Sequence, residues 1–482
     1  MIEPLYIYVD GRWGPSESGE TFAVTSPSTG QAIATAPRGT RADAGRAIAA
    51  ADAAAAGWAG LSAFERAAAM ERVVAAIEER RDVLARALSL DQGKPLLAES
   101  QPEVEELIAY WRMAAADAVR LEGMLLPSVD AAKRVLVYRV PRGVVGVITP
   151  WNWPYTMAAE LIAPALAAGN TVVWNPASST PLCSARLAEC IAAADLPAGV
   201  FNMVTGAGAV VGDEMAGHPG TAAMAFIGST SAGLAVARRA AGKDVLLEMG
   251  GNGPLVVLDD ADLDKAVSAT LGACFLNAGQ SCTAGERLLV HAAVHDEFLA
   301  RLEAATRRQA RLGDPFDAAT SMGPLNNEAG VVKMERHVAD ALARGASLVS
   351  GGRRAPQHGS PLFYEATILD GVTADMEVAR EETFGPVVPI TTIGHVDEAV
   401  EAINSSPYGL LAAVFTADVA RGLRFAEVVR AGWVNINEGT NYWESHLPFG
   451  GRAGSQSGVG RVGGRFSLER MTELKTVVLN LG

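Results

Sequence analysis

From Val144 to Phe415 the chain repeats one pattern, a short apolar run followed by a longer stretch rich in Ala, Leu and Glu. Val144-Val-Gly-Val-Ile-Thr149, Thr171-Val-Val-Trp174, Val200-Phe-Asn-Met-Val204 and Ala223-Met-Ala-Phe-Ile227 form a first series. Apolar runs without polar alternation read as strands buried on both faces, and strands separated by helical stretches pair in parallel with helices above and below. A second series starts after Gly251 with Pro254-Leu-Val-Val-Leu258 and continues through Arg287-Leu-Leu-Val290, Ala346-Ser-Leu-Val349, Val387-Val-Pro-Ile390 and Leu411-Ala-Ala-Val-Phe415. The pattern predicts an open α/β fold followed by a second α/β domain.

At 482 residues the chain exceeds what a single core usually organises, which agrees with two halves. Upstream, Tyr6-Ile-Tyr-Val-Asp-Gly-Arg12 reads as a hairpin, and Ala42 to Trp58, Ala63 to Leu88 and Glu103 to Leu121 read as helices. Two segments fit neither half. Ala132-Lys-Arg-Val-Leu-Val-Tyr-Arg-Val140 and Thr472-Glu-Leu-Lys-Thr-Val-Val-Leu479 alternate like exposed strands, which suggests a small subdomain whose edges pair with another subunit.

A formal net charge of −14 leaves no cationic surplus for a phosphate backbone or an anionic membrane, so nucleic acid and membrane are poor partners. The N-terminus lacks a basic, then apolar, leader, and the apolar stretch from Val144 to Trp174 is interrupted by prolines; the expectation is a cytoplasmic protein. Cys183, Cys190, Cys274 and Cys282 have neither zinc-ligand spacing nor the density of a disulfide framework, and no metal is expected. The first three read as small core residues. Cys282 differs, because Gly279-Gln-Ser-Cys-Thr-Ala-Gly285 frames it with small residues suited to a tight, accessible turn. A carboxylate at Glu248 and an amide at Asn152 are available as partners for such a nucleophile.

Phe226-Ile-Gly-Ser-Thr-Ser-Ala-Gly233 sets Gly228 and Ser229 between a strand and the helix Leu234 to Ala241, where backbone N–H groups and the helix dipole favour a phosphate; taken alone, such a junction is more often a plain helix cap, and the neighbouring motifs reverse that weighting. Thr205-Gly-Ala-Gly208 and Gly212 follow another strand without matching the spacing of a dinucleotide fingerprint.

Together, Pro150-Trp-Asn-Trp-Pro154, Phe226-Ile-Gly-Ser-Thr230, Leu247-Glu-Met-Gly-Gly251, Gly279-Gln-Ser-Cys282, Glu381-Glu-Thr-Phe-Gly-Pro386 and Pro448-Phe-Gly-Gly451 resemble the aldehyde dehydrogenase superfamily in order and spacing, over essentially the whole chain. The resemblance implies a Rossmann-like cofactor domain (1–121 and 141–250), an α/β catalytic domain (251–447), a β oligomerisation arm (122–140 and 469–482) and a return segment to the cofactor domain (448–468). It implies a homodimer or homotetramer that oxidises a small-molecule aldehyde with NAD or NADP. Cys282 is then the nucleophile, Asn152 the oxyanion donor and Glu248 the base that releases the acid. Trp151, Gly228, Ser229, Glu382 and Phe384 would contact the cofactor.

Two departures stand out. Asn175 and Ser178 occupy positions where relatives carry Lys and Glu at the adenosine ribose, which leaves the choice between NAD and NADP open. Leu161 and Val462 are apolar where many relatives carry a Lys–Glu proton relay. The resemblance also places Glu106, Trp153, Glu160, Ser281, Trp443, Glu444 and Phe449 around the substrate, in a setting of aromatic walls and carboxylates that suits an amino- or aromatic aldehyde. A CoA-acylating relative and a non-catalytic NAD-binding scaffold are the alternatives.

Overall fold

A computed structural model describes residues 2–482. Its larger sheet has eight strands, in the order Gly458–Val459, Asp244–Glu248, Ala223–Ile227, Val144–Ile148, Thr171–Asn175, Phe201–Met203, Ile7–Val9 and Arg12–Gly14. The five central strands are parallel, and antiparallel pairs close both edges. Every residue of Thr171–Asn175 and Ala223–Ile227 is buried, as uninterrupted apolar runs demand when helices cover both faces. Val144–Ile148 is the first of these parallel strands in the chain, yet it lies between the second and the fourth. Strand order therefore reverses beside it, and in open α/β sheets the crevice at such a reversal is where ligands bind.

The second sheet runs Ser347–Ser350, Thr367–Asp370, Val387–Ile393, Gly285–His291, Gly253–Val257, Leu411–Phe415 and Trp433–Ile436. All neighbours are parallel except the first pair. A separate antiparallel sheet joins Met124–Leu126, Lys133–Pro141 and Thr472–Asn480. Leu125, Leu136, Tyr138, Leu474 and Val478 are exposed on it. Near the N-terminus, Thr21–Thr25, Ala32–Pro37 and Glu3–Pro4 form a third small sheet.

The helical stretch expected over 63–88 is two helices, Ala63–Glu79 and Arg81–Asp91, broken at Arg80. The break turns the second helix onto Pro181–Ala193, where its Asp91 carboxylate accepts the Cys183 backbone N–H at 2.9 Å. The helix expected from Leu234 begins at Thr230, with Ser229 as its cap. No helix among the described residues is long and apolar enough to cross a membrane.

Candidate active site

The strand ends at the order reversal deliver the first half of the site. Trp151 and Asn152 follow Val144–Ile148, Gly228 and Ser229 follow Ala223–Ile227, and Glu248 ends Asp244–Glu248. The second domain faces them with Cys282, Glu382 and Phe384. All of these residues line one groove of about 280 Å³.

The loop that presents Cys282 is bent by three consecutive residues with left-handed backbone, Asn277 (φ 52°), Ala278 (φ 54°) and Gly279 (φ 72°). Any side chain at Gly279 would fall on the Gly385 carbonyl. Asn277 anchors the bend: its backbone N–H donates to Glu99 at 2.9 Å, and its Nδ2 donates to the carbonyls of Asn152 at 3.0 Å and Gln280 at 3.2 Å. Gln92 Nε2 in turn donates to Asn277 Oδ1 at 2.8 Å. The bend is therefore tied to the Asn152 turn on the other domain.

Asn152 Nδ2 donates one hydrogen to the Gln280 carbonyl at 3.2 Å, which leaves its second hydrogen for the groove. The Cys282 backbone N–H has no acceptor among the described residues. Two donors beside one thiol make a ready site for an oxyanion. Glu248 is 4% exposed, and its Oε1 accepts no hydrogen bond. Burial, followed by the charge of Glu160, holds the Glu248 carboxyl well above the ordinary range; burial and the charge of Glu248 push the Cys282 thiol up. A carboxyl raised in this way is suited to proton transfer near neutral pH.

At the other end of the groove, Glu382 Oε1 accepts the Gly251 N–H at 2.9 Å. The neighbouring Phe384 has a left-handed backbone, φ 58°. Buried Glu286 holds it there, accepting the N–H groups of Thr383 at 2.7 Å and Phe384 at 2.6 Å. Trp151 meets the Phe384 ring edge-on, with centroids 5.6 Å apart. Ser229 and the start of Thr230–Arg239 turn helix N–H groups toward the same groove. A helix N-terminus for a pyrophosphate, a carboxylate for a ribose and an aromatic wall for a flat ring fit a nicotinamide dinucleotide.

A model of the aldehyde dehydrogenase family matches residues 13–477. The 3-sulfolactaldehyde dehydrogenase of Pseudomonas putida is 41% identical over 474 residues, covering 98% of this chain and 96% of that protein. The NADP-type succinate-semialdehyde dehydrogenase of Escherichia coli (strain K12) is 38% identical over 475 residues, covering 98% and 97%. A crystal structure of betaine aldehyde dehydrogenase from Staphylococcus aureus, in complex with NAD+ and carrying a BME-modified cysteine, superposes with a TM-score of 0.95 at 34% identity, covering 99% and 97%. The chain belongs to the aldehyde dehydrogenase family. It is an NAD(P)-dependent oxidoreductase that converts an aldehyde to the acid.

In this aldehyde dehydrogenase a second cavity leads to Cys282 and Glu248 from the far side, lined by Trp153, Thr156, Met157, Glu160, Leu276, Ser281, Thr283, Trp443 and Phe449. Its lining includes no Arg, Lys or His. Trp443 is packed between Tyr110 and Phe449, at 6.1 and 6.5 Å between ring centroids. Glu160 Oε1 accepts the Tyr110 hydroxyl at 3.1 Å, and burial pushes its carboxyl up to about 8. Beneath the Trp153 ring lies Lys94 Nζ, 3.8 Å from the centroid and bonded to Glu103 at 2.5 Å.

The structure thus brings Trp153, Glu160, Ser281, Trp443 and Phe449 together but leaves two expected residues off the wall. Glu106 is turned onto the Thr156 hydroxyl at 3.1 Å, and Glu444 is exposed and accepts the Tyr442 hydroxyl at 2.6 Å. On the cofactor side, Asn175 is 1% exposed and donates its amide hydrogens to the Val204 and Gly206 carbonyls. Ser178 donates to the same Gly206 carbonyl at 2.9 Å. Both side chains brace the Thr205–Gly206 turn. Leu161 and Val462 are buried in one apolar core. Gln280, Asn327 and Lys333 also line the groove and escaped the sequence reading. Of these only Gln280, inside the Cys282 motif, carried a signal.

Proposed function

We propose that Cys282, Glu248 and Asn152 oxidise a neutral or cationic aldehyde, of the amino- or aromatic type, to its free acid. The observation that carries the chemistry is their convergence on one groove. The Cys282 sulfur adds to the carbonyl carbon as its thiol proton passes to water in the groove. The oxygen, now negative, takes hydrogen bonds from Asn152 Nδ2 and the Cys282 N–H, and one such donor is worth about 3 to 4 kcal/mol of barrier. NAD or NADP bound between Ser229 and Glu382 supplies the hydride acceptor. The carbonyl reforms as a thioester on Cys282, Glu248 takes a proton from water, and the hydroxide adds and expels the sulfur. Leu161 and Val462 are apolar and offer no relay, so Glu248 discharges through water or by swinging outward.

The substrate class rests on the tunnel. Anionic aldehydes need a cation to offset desolvation of their carboxylate or sulfonate, and none lines the wall. Glu160 among Trp153, Trp443 and Phe449 offers aromatic faces and one carboxyl. On this reading the substrate differs from the anionic aldehydes in the names of the relatives from Pseudomonas putida and Escherichia coli. Exposed apolar residues on the arm sheet support assembly as a homodimer or homotetramer through that sheet. Four unpaired cysteines and a working thiol support a reducing, cytoplasmic setting. A steady-state screen of amino-, aromatic and carboxylated aldehydes with NAD and NADP, following reduced-nicotinamide absorbance, tests this reading. Activity vanishes in Cys282→Ala, and a first rank for succinate semialdehyde overturns the substrate class.

A further inference from the structure

Arg287 lies on Gly285–His291, in the middle of the second sheet, and is 8% exposed. Its Nε donates to the Asn252 carbonyl at 3.1 Å and its Nη1 to the Ala402 carbonyl at 2.9 Å, while Nη2 has no acceptor. Among the described residues no carboxylate forms an ion pair with it. Burial pushes the guanidinium down to about 10, against the opposing charge of neighbouring Glu286. Glu286, next in the chain, is occupied by the Thr383 and Phe384 N–H groups.

Arg287 lines a cavity of about 430 Å³ that shares no residue with the groove or the tunnel. Arg380, at the end of Glu377–Arg380, lines the same cavity; it is exposed and forms no ion pair among the described residues. No Asp or Glu lines the cavity. Two guanidinium groups on a cavity whose lining holds no carboxylate keep fork-shaped donors unspent, and a planar or tetrahedral oxyanion would engage them. The rest of the wall is largely apolar, with Leu289, Val372, Pro389 and Pro407 from the strands and loops around it.

We propose that this cavity binds a small organic anion, its carboxylate or phosphate head between Arg287 and Arg380 and its apolar body against Leu289, Val372 and Pro389. The head fixes the charge and the body excludes the water that would screen it, so an organic anion outcompetes a bare one.

Isothermal titration tests this on enzyme saturated with NAD and carbamidomethylated at Cys282, which fills the groove and blocks the tunnel mouth. Inorganic phosphate, hexyl phosphate and hexanoate are the probes. At least one hexyl compound is expected to bind one per chain, tenfold or more tighter than inorganic phosphate, and comparison of the two identifies the preferred head. Arg380→Gln, an exposed change, weakens that binding at least fivefold, and Arg287→Gln abolishes it. Because Arg287 also ties down two carbonyls, Arg380→Gln alone decides the matter if Arg287→Gln fails to fold. No saturable heat from either hexyl compound, or unchanged affinity in Arg380→Gln, overturns the proposal.

Discussion

Lys94 and Glu103 form an ion pair with 1% of either side chain exposed. Glu103 also accepts the backbone N–H groups of Tyr155 at 3.0 Å and Thr156 at 3.4 Å, at the start of Thr156–Ala167, while Lys94 supports the Trp153 ring of the tunnel. Lys94→Met keeps the stem volume and removes the charge, leaving a buried carboxylate uncompensated at a cost of about 3 to 5 kcal/mol. An unfolding entropy of about 2.1 cal/mol/K per residue over 482 residues makes this a drop of roughly 3 to 5 °C in Tm for unfolding as one unit. Lys94→Met/Glu103→Gln keeps an acceptor for the two N–H groups without the charge, and recovers at least half the loss. The pH dependence has a definite sign. Glu99, which burial already raises to about 7, loses the lowering influence of Lys94, so its folded carboxyl holds its proton to still higher pH. A carboxyl raised in the folded state loses stability as pH rises above its unfolded value, so the Lys94→Met deficit is larger at pH 8.5 than at pH 5.5. Scanning calorimetry of wild type, both single variants and the double at those two pH values is the assay. A Lys94→Met transition within 1 °C of wild type at both, or a double variant no better than Lys94→Met, would refute the ion-pair account.

Glu248→Gln blocks deacylation, so rapid mixing shows a burst of one reduced nicotinamide per site and a steady rate lowered about 10² to 10⁴-fold; loss of the burst itself contradicts the assigned role. Asn152→Ala lowers kcat by about 10² to 10³-fold with little change in cofactor affinity, as measured by initial rates and cofactor titration. For a cationic aldehyde, kcat/KM rises as pH passes about 8 and Glu160 loses its proton. Glu160→Gln removes that rise and costs about tenfold for cationic substrates, leaving neutral aromatic aldehydes little changed; equal losses for both substrate types count against the tunnel carboxyl as a selector.

The parallel strands were readable because both faces are covered. Val144–Ile148, Ala223–Ile227 and Leu411–Phe415 carry apolar residues without a polar face, a signal that a half-exposed strand such as Thr21–Thr25 lacks. The break at Arg80 was invisible because no Gly or Pro marks it; tertiary packing against Pro181–Ala193 decides it. Cys282, Glu248 and Asn152 were found through the family pattern and meet in one groove. Which carboxylates reach the tunnel depends on helix rotation: Glu160 on Thr156–Ala167 faces inward, whereas Glu106 on Gln101–Ala118 turns to Thr156. Glu286 and Lys333 act across contacts distant in sequence, with nothing local to announce them.

The mutual influence of Cys282 and Glu248 has a consequence for the lifetime of the enzyme. Peroxides and electrophiles attack thiolates, and a sulfur kept protonated by burial and a facing carboxylate reacts slowly with them. Cys183, Cys190 and Cys274 are buried, and their thiols too are pushed upward. At rest none of the four thiols is therefore a ready target for oxidants, and Cys282, the one that is not buried, becomes vulnerable only when the site draws off its proton.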